Sequence, residues 1–261
     1  SDKGNEGRDV QASLRRDQER PEELRHVMVN PGAARLILMP GLDGTGVCFG
    51  PLTRALPPDV PRTVITYPDD EGLSLKDHAD FVAARLTGEN TVLVAESFSG
   101  LVALTLLHER PARVKGVIFS ATFAEPLHPF LIRTAASIPG APFLAKRLPA
   151  WLLNVFFFHS YADRTLENML RESLLQMGPA GLRQRARLIA AGYPSPDDRF
   201  AVPCLYLQAT QDRVVPASAA DWFRSRFASF ELVRLDAPHC LLQTRPAESA
   251  EAIMAFARGL P

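Results

Sequence analysis

Ser97 lies in a sequence pattern that can make a serine hydroxyl reactive. The apolar run Thr91–Ala95 predicts a buried strand, and it is followed by the segment Glu96–Gly100 and then by apolar residues at helical spacing. A serine at a sharp turn between a strand and a helix has an exposed hydroxyl. The free backbone N–H groups beside it can stabilise a developing negative charge. The chemistry that this pattern favours is nucleophilic attack.

The residues on either side of Ser97 depart from the usual form of such a turn. That form is Gly-x-Ser-x-Gly, whereas here the two flanking positions hold Ala95 and Ser99. Both substitutes are small, as a tight turn requires. The alternative is that Ser97 or Ser99 only caps the helix, because serine is common at helix N-termini. The rest of the chain has to decide between these interpretations.

A nucleophilic serine needs a base, and the base needs an orienting acid. Among the six histidines, His239 differs because it lies in a short loop after the apolar run Glu231–Leu235. Such a loop lies at the carboxyl end of a strand, as Ser97 does, and that edge of an open α/β sheet carries the active site. His239 is therefore the candidate base.

Asp212 is the favoured acid. It follows the strand pattern Cys204–Ala209 and precedes Pro216, so the alternative is an ordinary acidic residue at a helix N-terminus. Asp236 and Glu125 also follow strand patterns and remain competing acids.

A glycine-rich loop, Pro40–Gly46, follows the first central strand. Its three glycines allow a tight turn and a close approach of the backbone to a ligand. The spacing matches neither a Walker A loop nor Gly-x-Gly-x-x-Gly, which disfavours nucleotide binding.

Short apolar runs alternate with helical patterns along most of the chain, which predicts a mostly parallel, doubly wound α/β sheet of about six to seven strands. The predicted strands are Leu36–Met39, Thr63–Tyr67, Thr91–Ala95, Val114–Ala121, Cys204–Ala209 and Glu231–Leu235, with His26–Val29 as a further edge strand. The predicted helices between them are Val47–Leu56, Leu75–Leu86, Gly100–Glu109, Ala217–Phe227 and Ala247–Arg258.

Two regions break this alternation. Residues 1–22 are rich in charge and are predicted to form a mobile tail or a loosely docked helix. Residues 127–200 hold no convincing strand but several helical patterns, which predicts an all-helical insertion between residues 23–126 and 201–261 of the α/β domain. The helical patterns in this interval are Pro129–Ser137, Pro142–Lys146, Ala150–Phe157, Arg164–Met177 and Ala180–Ala190.

The composition argues against several classes of partner. The 261 residues include 29 basic and 29 acidic side chains, and this balance disfavours nucleic acid. The 3 cysteines are scattered without a Cys-x-x-Cys motif, which disfavours a zinc site or disulfide framework. With no signal peptide or membrane-spanning run visible, we expect a cytoplasmic protein. The sequence leaves the oligomeric state open.

Together these motifs resemble the α/β-hydrolase-fold serine hydrolases, over roughly residues 30–258. The order Ser97, Asp212, His239 is that family's order of nucleophile, acid and base. Asp-Arg-Val-Val-Pro resembles its acid loop, Ala-Pro-His-Cys its histidine loop, and Pro40-Gly41-Leu42 its oxyanion loop with proline in place of histidine. The insertion at residues 127–200 corresponds to the family's cap.

The resemblance implies hydrolysis of a carboxylic ester or thioester through an acyl-enzyme, without a metal or an organic cofactor. The backbone N–H groups of Leu42 and Phe98 would stabilise the oxyanion. The apolar character of the cap suggests a small substrate with a hydrophobic acyl group. Candidate substrate-binding residues are Gly41, Asp43, Phe130, Trp151 and Phe156.

Several rivals share these residues. Thioesterase, acyltransferase, C–C hydrolase and perhydrolase chemistry use the same triad, whereas a haloalkane dehalogenase would need aspartate at position 97. A hydrolase-like binding protein without catalysis is a rival of another class. Contact of the stretch Trp151–Phe158 with a lipid surface is a minor alternative.

Overall fold

The computed structural model describes residues 34–109, 111–127 and 154–260. In these ranges the strands are β1 Arg35–Met39, β2 Arg62–Val64, β3 Thr91–Glu96, β4 Val114–Ser120, β5 Cys204–Ala209 and β6 Phe230–Leu235. They form one sheet in the order β2-β1-β3-β4-β5-β6, and every neighbouring pair is parallel. The predicted parallel α/β sheet is therefore confirmed, with six strands in the described part of the chain.

Helices cover both faces of this sheet. The α-helices are α1 Gly50–Ala55, α2 Leu75–Ala83, α3 Ser99–His108, α4 Arg164–Gln176, α5 Pro179–Ala191, α6 Ala219–Arg226, α7 Leu241–Thr244 and α8 Pro246–Arg258. Two 3₁₀ turns, Val47–Phe49 and His159–Tyr161, and a π-helical segment, Asn154–Phe158, complete the described elements.

Alternate residues of each strand face opposite layers, because side chains in a strand alternate between the two faces. Ile37 and Met39 of β1 pack in one cluster with residues of α2, α3 and α6. Leu36 and Leu38 pack in a second cluster with residues of α1, α7 and α8. Both faces are buried, which explains why the central strands read as continuous apolar runs.

Strand β2 is shorter than predicted. The sequence predicted a strand over Thr63–Tyr67, but β2 ends at Val64. The N–H of Ile65 still donates to Leu38 (2.8 Å), whereas the N–H of Tyr67 donates to the carbonyl of Gly44 (2.8 Å). The strand ends because its neighbour β1 stops at Met39, so the chain beyond Ile65 pairs with the following loop instead.

The described part of the predicted insertion is helical. Residues 154–191 contain α4, α5 and the shorter helical turns, and no strand lies among them. The predicted helices Pro129–Ser137 and Pro142–Lys146, the tail at residues 1–22 and the edge strand His26–Val29 lie outside the described residues. The limits of the insertion, residues 127–200, therefore stay a prediction.

Helix α5 is held on the α/β domain by polar contacts with the segment after β2. The carboxylate of Asp69 accepts the N–H of Gly181 in the first turn of α5 (2.5 Å), where the helix dipole favours an anion. The amide of Gln184 donates to the carbonyl of Leu73 (2.8 Å). Arg183 pairs with Glu71 at the surface. These contacts join α5 to the segment after β2, and the two partly buried ones come from Asp69 and Gln184.

Candidate active site

Ser97 occupies a strained turn between β3 and α3. Its φ angle is 48°, in the left-handed region, which costs a non-glycine residue about 1–3 kcal/mol. The surrounding chain holds this conformation: the N–H of Ser97 donates to Ser120 (2.9 Å), and its carbonyl accepts from the Thr122 hydroxyl (2.5 Å) and from the N–H of Gly100 (3.0 Å). Residues kept in such a conformation often lie at functional sites.

The interpretation of these serines as helix caps is wrong. The residue at the N-cap of α3 is Phe98, and it makes no side-chain capping bond. Ser99 instead donates its hydroxyl to the carbonyl of Pro40 and hydrogen-bonds the hydroxyl of Tyr67 (2.7 Å). Ser99 thus links the turn to the loop after β1, a role that needs its hydroxyl and that glycine could not perform.

Gly100, the residue after Ser99, has no room for a side chain. A Cβ atom on Gly100 would lie 1.8 Å from the hydroxyl oxygen of Thr122. This hydroxyl is the one that bonds the carbonyl of Ser97. Gly100 therefore makes room for the side chain that holds the strained turn.

Ser97, His239 and Asp212 are joined by hydrogen bonds. The Nε2 atom of His239 lies 3.1 Å from the hydroxyl oxygen of Ser97, and its Nδ1 atom lies 2.8 Å from Oδ2 of Asp212. The other carboxylate oxygen of Asp212 accepts the N–H groups of Val214 (2.7 Å) and Val215 (2.9 Å). The aspartate is thereby fixed in orientation, and it in turn orients the imidazole toward the serine.

The competing acids have other surroundings. The carboxylate of Asp236 is exposed and accepts hydrogen bonds from the amide of Gln211 (2.5 Å) and the hydroxyl of Tyr161 (3.0 Å). Glu125 is also exposed. Only the acid predicted from the strand β5 pattern, Asp212, contacts the imidazole among the residues that the structure describes.

The surroundings of His239 raise its affinity for a proton. Burial of the imidazole lowers its pKa, but the charge and hydrogen bond of Asp212, together with the charge of Glu96, raise it by more. The pKa of His239 therefore lies above its ordinary value. An imidazolium that forms when the serine loses its proton is stabilised by the same groups.

The loop after β1 passes directly beside Ser97. A Cβ atom on Gly41 would lie 3.6 Å from the Cβ atom of Ser97. The loop closes a turn in which the N–H of Gly44 donates to the carbonyl of Gly41 (3.1 Å). The N–H groups of Leu42 and Phe98, the predicted oxyanion donors, bond no other group among the described residues.

An apolar cavity of about 280 Å³ opens onto Ser97 and His239. The predicted substrate-binding residues Gly41 and Asp43 line it, as does Leu42. Its apolar side chains come mainly from the inserted helices and the loops beside them: Phe123, Leu127, Phe157, Leu170, Leu174, Met177, Leu182, Ile189 and Val214. The predicted residues Phe130 and Trp151 lie outside the described residues, and the side chain of Phe156 is likewise not described.

Glu96 and Gln243 form a polar part of the cavity wall. The amide of Gln243 donates to Oε1 of Glu96 (2.9 Å), and both side chains are buried. Burial raises the pKa of Glu96 to about 7, against the lowering effect of this hydrogen bond. The carboxyl beside the serine is thus largely neutral in mildly acidic solution.

Two residues at this site were missed by sequence reasoning. Arg185 of α5 donates hydrogen bonds to the loop after β1, and Gln243 of α7 binds Glu96. Arg185 stands in a helical pattern of the predicted insertion, where an arginine usually faces solvent. Neither residue belongs to a motif, and no local signal distinguishes them from surface residues.

Among the residues that the structure describes, the helices are too short or too polar to span a membrane.

Comparison with known proteins gives a family and a fold. A family model described as the alpha/beta hydrolase family matches residues 36–252. None of the curated proteins compared with the chain matches it. Solved structures with the same fold include the enol-lactonase from Burkholderia xenovorans LB400, with a TM-score of 0.75 and 16% identity over 87% of this chain and 92% of that one.

Two esterase structures are also similar. The thermophilic esterase from Thermogutta terrifontis has a TM-score of 0.73 and 19% identity, and the match covers 87% of this chain and 89% of that one. An esterase from Rhodococcus sp. ECU1013 has a TM-score of 0.71 and 18% identity, with 89% of this chain and 93% of that chain covered. At such identities the likeness shows the fold.

Proposed function

Because the chain belongs to the alpha/beta hydrolase family, we propose that it is a serine hydrolase that cleaves carboxylic esters of hydrophobic acids. The observation that carries this proposal is the hydrogen-bonded series Asp212–His239–Ser97, whose serine opens into an apolar cavity. A serine, an imidazole and a buried carboxylate in this geometry have the parts needed for acyl transfer.

In the proposed reaction, Nε2 of His239 takes the proton of the Ser97 hydroxyl while the serine oxygen attacks the ester carbonyl. The carbonyl oxygen becomes an oxyanion, which the N–H groups of Leu42 and Phe98 stabilise. His239 then gives its proton to the departing alkoxide, and an acyl-enzyme remains. Water, deprotonated by His239, attacks this ester, and the acid leaves as Ser97 regains its proton.

The cavity supports the substrate class. Its walls bury aliphatic and aromatic side chains, and transfer of each methylene group from water into such surroundings is worth about 0.8 kcal/mol. A volume of about 280 Å³ accommodates a small ester rather than a polymer. We extend the proposal to a cytoplasmic location, since Cys48, Cys204 and Cys240 are free thiols.

Labelling with a fluorophosphonate probe tests the nucleophile. The wild type should react at one site, and peptide mapping should place the label on the peptide that contains Ser97. Ser97→Ala should lose the label, whereas the exposed Ser225→Ala should label as the wild type does. Absence of label on the wild type would contradict the proposal and favour a binding protein without catalysis.

A substrate series then separates the chemistries that share the triad. We expect turnover of p-nitrophenyl esters from acetate to octanoate, with higher kcat/KM for the longer acyl groups. Faster turnover of acyl-CoA than of the matching ester would assign a thioesterase instead. Transfer to an added alcohol in preference to water would assign an acyltransferase, and cleavage of a vinylogous 1,5-diketone but not of esters would assign a C–C hydrolase.

A further inference from the structure

Arg185 is a fully buried cation that reaches from an inserted helix to the loop beside Ser97. It lies in α5 and is 2% exposed. Its Nε atom donates to the carbonyl of Leu42 (2.8 Å), and its Nη2 atom donates to the carbonyl of Asp43 (3.0 Å). These two residues are the central residues of the turn that Gly41 and Gly44 close.

The space around the guanidinium is shaped by two glycines. A Cβ atom on Gly44, whose φ angle is 71°, would lie 2.7 Å from the Cζ atom of Arg185. A Cβ atom on Gly181 would lie 2.7 Å from its Nη1 atom. Any larger residue at either position would displace the guanidinium, so both the loop and the helix need glycine there to accommodate it.

Stability alone does not account for a charge at this place. Burial lowers the pKa of Arg185, which reports the cost of removing the cation from water, and the charges of Asp43 and Asp69 oppose that lowering. No carboxylate pairs directly with Arg185 among the described residues. Apolar residues of similar volume often stabilise a core as well as buried charges do, so the guanidinium has another use.

That use follows from the geometry of the turn. Turns of types I and II differ by a flip of the central peptide, which here joins the carbonyl of Leu42 to the N–H of Asp43. The bond from Nε of Arg185 to the Leu42 carbonyl selects one of these orientations. The preceding peptide carries both the Gly41 carbonyl, which is bonded to Gly44, and the N–H of Leu42. The two bonds from Arg185 hold the middle of this closed turn in place. The closed turn also orients the peptide that carries the Leu42 N–H.

We propose that Arg185 is a positioning residue that holds the Gly41–Gly44 turn in the form that presents the Leu42 N–H to the oxyanion. This inference rests on the proposed serine-hydrolase function. It gives the inserted helix α5 a part in the chemistry: the helix supplies the cation that organises a loop of the α/β domain. Arg185 acts through the backbone and does not touch the substrate.

Arg185→Met tests this role, because it keeps most of the side-chain volume and removes both hydrogen bonds. The measurements are kcat and KM for a p-nitrophenyl ester and the Ki of a trifluoromethyl ketone, which forms a tetrahedral adduct with an oxyanion. Loss of one oxyanion donor lowers kcat about 10²- to 10³-fold in comparable sites. We expect Arg185→Met to lower kcat about 10- to 100-fold, raise Ki by a similar factor and leave KM within about 3-fold.

Arg183→Met is the matched control. Arg183 lies two residues away in the same helix and pairs with Glu71 at the surface. Its loss should leave kcat and Ki unchanged. Arg185→Lys, which keeps the charge and can bond one carbonyl, should fall between Arg185→Met and the wild type in both quantities.

Several outcomes would overturn the inference. A folded Arg185→Met with wild-type kcat and Ki would show that the residue only fills space. A variant in which only the melting temperature falls would lead to the same conclusion. If Arg185→Met does not fold, Arg185→Lys decides, and wild-type kcat and Ki in that variant would contradict the role. A wild type that neither labels nor hydrolyses esters would instead refute the proposed function, which keeps the two failures distinct.

Discussion

The loops at the carboxyl edge of the sheet and the helices α4 and α5 line the same cavity with different chemistry. The carboxyl ends of the strands and the loops after them supply polar groups, which include Glu96, Ser97 and His239. The helices supply aliphatic side chains: Leu170, Leu174, Leu182 and Ile189. The loops continue strands of one hydrogen-bonded parallel sheet, so they can hold reacting atoms to within a fraction of an ångström.

This difference suggests a division of roles. Changes in the loops should affect the reaction of every substrate, because they alter the groups that move protons and stabilise charge. Changes in the two helices should affect which acyl group is preferred, because they alter only apolar contact area. Arg185 is the exception, since it comes from a helix and bonds the loop after β1.

His239→Ala should have the largest effect. It removes the base that contacts the Ser97 hydroxyl, and we expect kcat to fall by about 10⁶-fold, since members of a triad act as a unit. The loss should be the same for acetyl and octanoyl esters, and the thermal midpoint should change little. A loss of kcat that depends strongly on acyl length would contradict the division of roles between the loops and the helices. His108→Ala, at an exposed histidine, is the control.

Asp212→Asn should have the second-largest effect, a fall in kcat of about 10⁴-fold. The pH profile gives a second readout, because the base must be neutral to act and the charge of Asp212 raises the pKa of His239. Loss of this charge lowers that pKa, so the acid limb of kcat/KM should move to lower pH. Asp236→Asn should have the same kcat as the wild type and the same acid limb in the pH profile of kcat/KM. Loss of activity in Asp236→Asn would make Asp236 the acid.

Glu96→Gln should change stability in a pH-dependent way. The pKa of Glu96 is raised from 4.5 to about 7 in the folded protein. Between these values the folded state holds a proton that the unfolded chain has lost, so the stability contributed by neutral Glu96 is present at low pH and is lost as pH rises through 7. Glu96→Gln carries no such titration and can still accept the bond from Gln243.

Denaturant unfolding at several pH values checks this prediction. Relative to the wild type, the free energy of unfolding of Glu96→Gln should rise between pH 5 and pH 8, by up to about 3 kcal/mol. A difference that is constant with pH would show that Glu96 is ionised throughout. The esterase activity of the variant should remain, because Glu96 supplies no proton to the proposed reaction.

Leu182→Ala should have the smallest effect and should alter selectivity alone. It enlarges the apolar cavity next to α5, and we expect the ratio of kcat/KM for octanoyl over butyryl esters to rise about 3- to 10-fold, which corresponds to the burial of about one to two further methylene groups. Leu175→Ala is the control, since Leu175 is 68% exposed on α4. An equal loss of kcat for all esters would contradict the division of roles. It would show that α5 affects the reaction itself, as we propose for Arg185.

Much of the fold could be predicted because the central strands β1, β3, β4 and β5 are buried on both faces. Strand β5 was predicted with its observed limits, and β3 and β6 to within one residue. Buried parallel strands require runs of apolar residues, and these are visible in the sequence. Strand β2 was predicted too long, because its end depends on where its neighbour stops, which local sequence does not record.

The site could be predicted only where a residue follows a recognisable strand. Ser97, Asp212 and His239 were found in this way, and so was the loop after β1. Arg185 and Gln243 were not, because their partners lie far along the chain: Arg185 bonds Leu42, and Gln243 bonds Glu96.

The sequence by itself determined the order of strands and helices and the positions of a serine, a histidine and three competing acids at strand ends. The tertiary structure decided that Asp212 contacts the imidazole while Asp236 is bound by Gln211 and Tyr161. It also decided which inserted residues line the cavity and that Arg185 is buried. The physical reason is that strand patterns follow from local alternation and burial, whereas hydrogen-bond partners depend on contacts between segments that only the folded chain brings together.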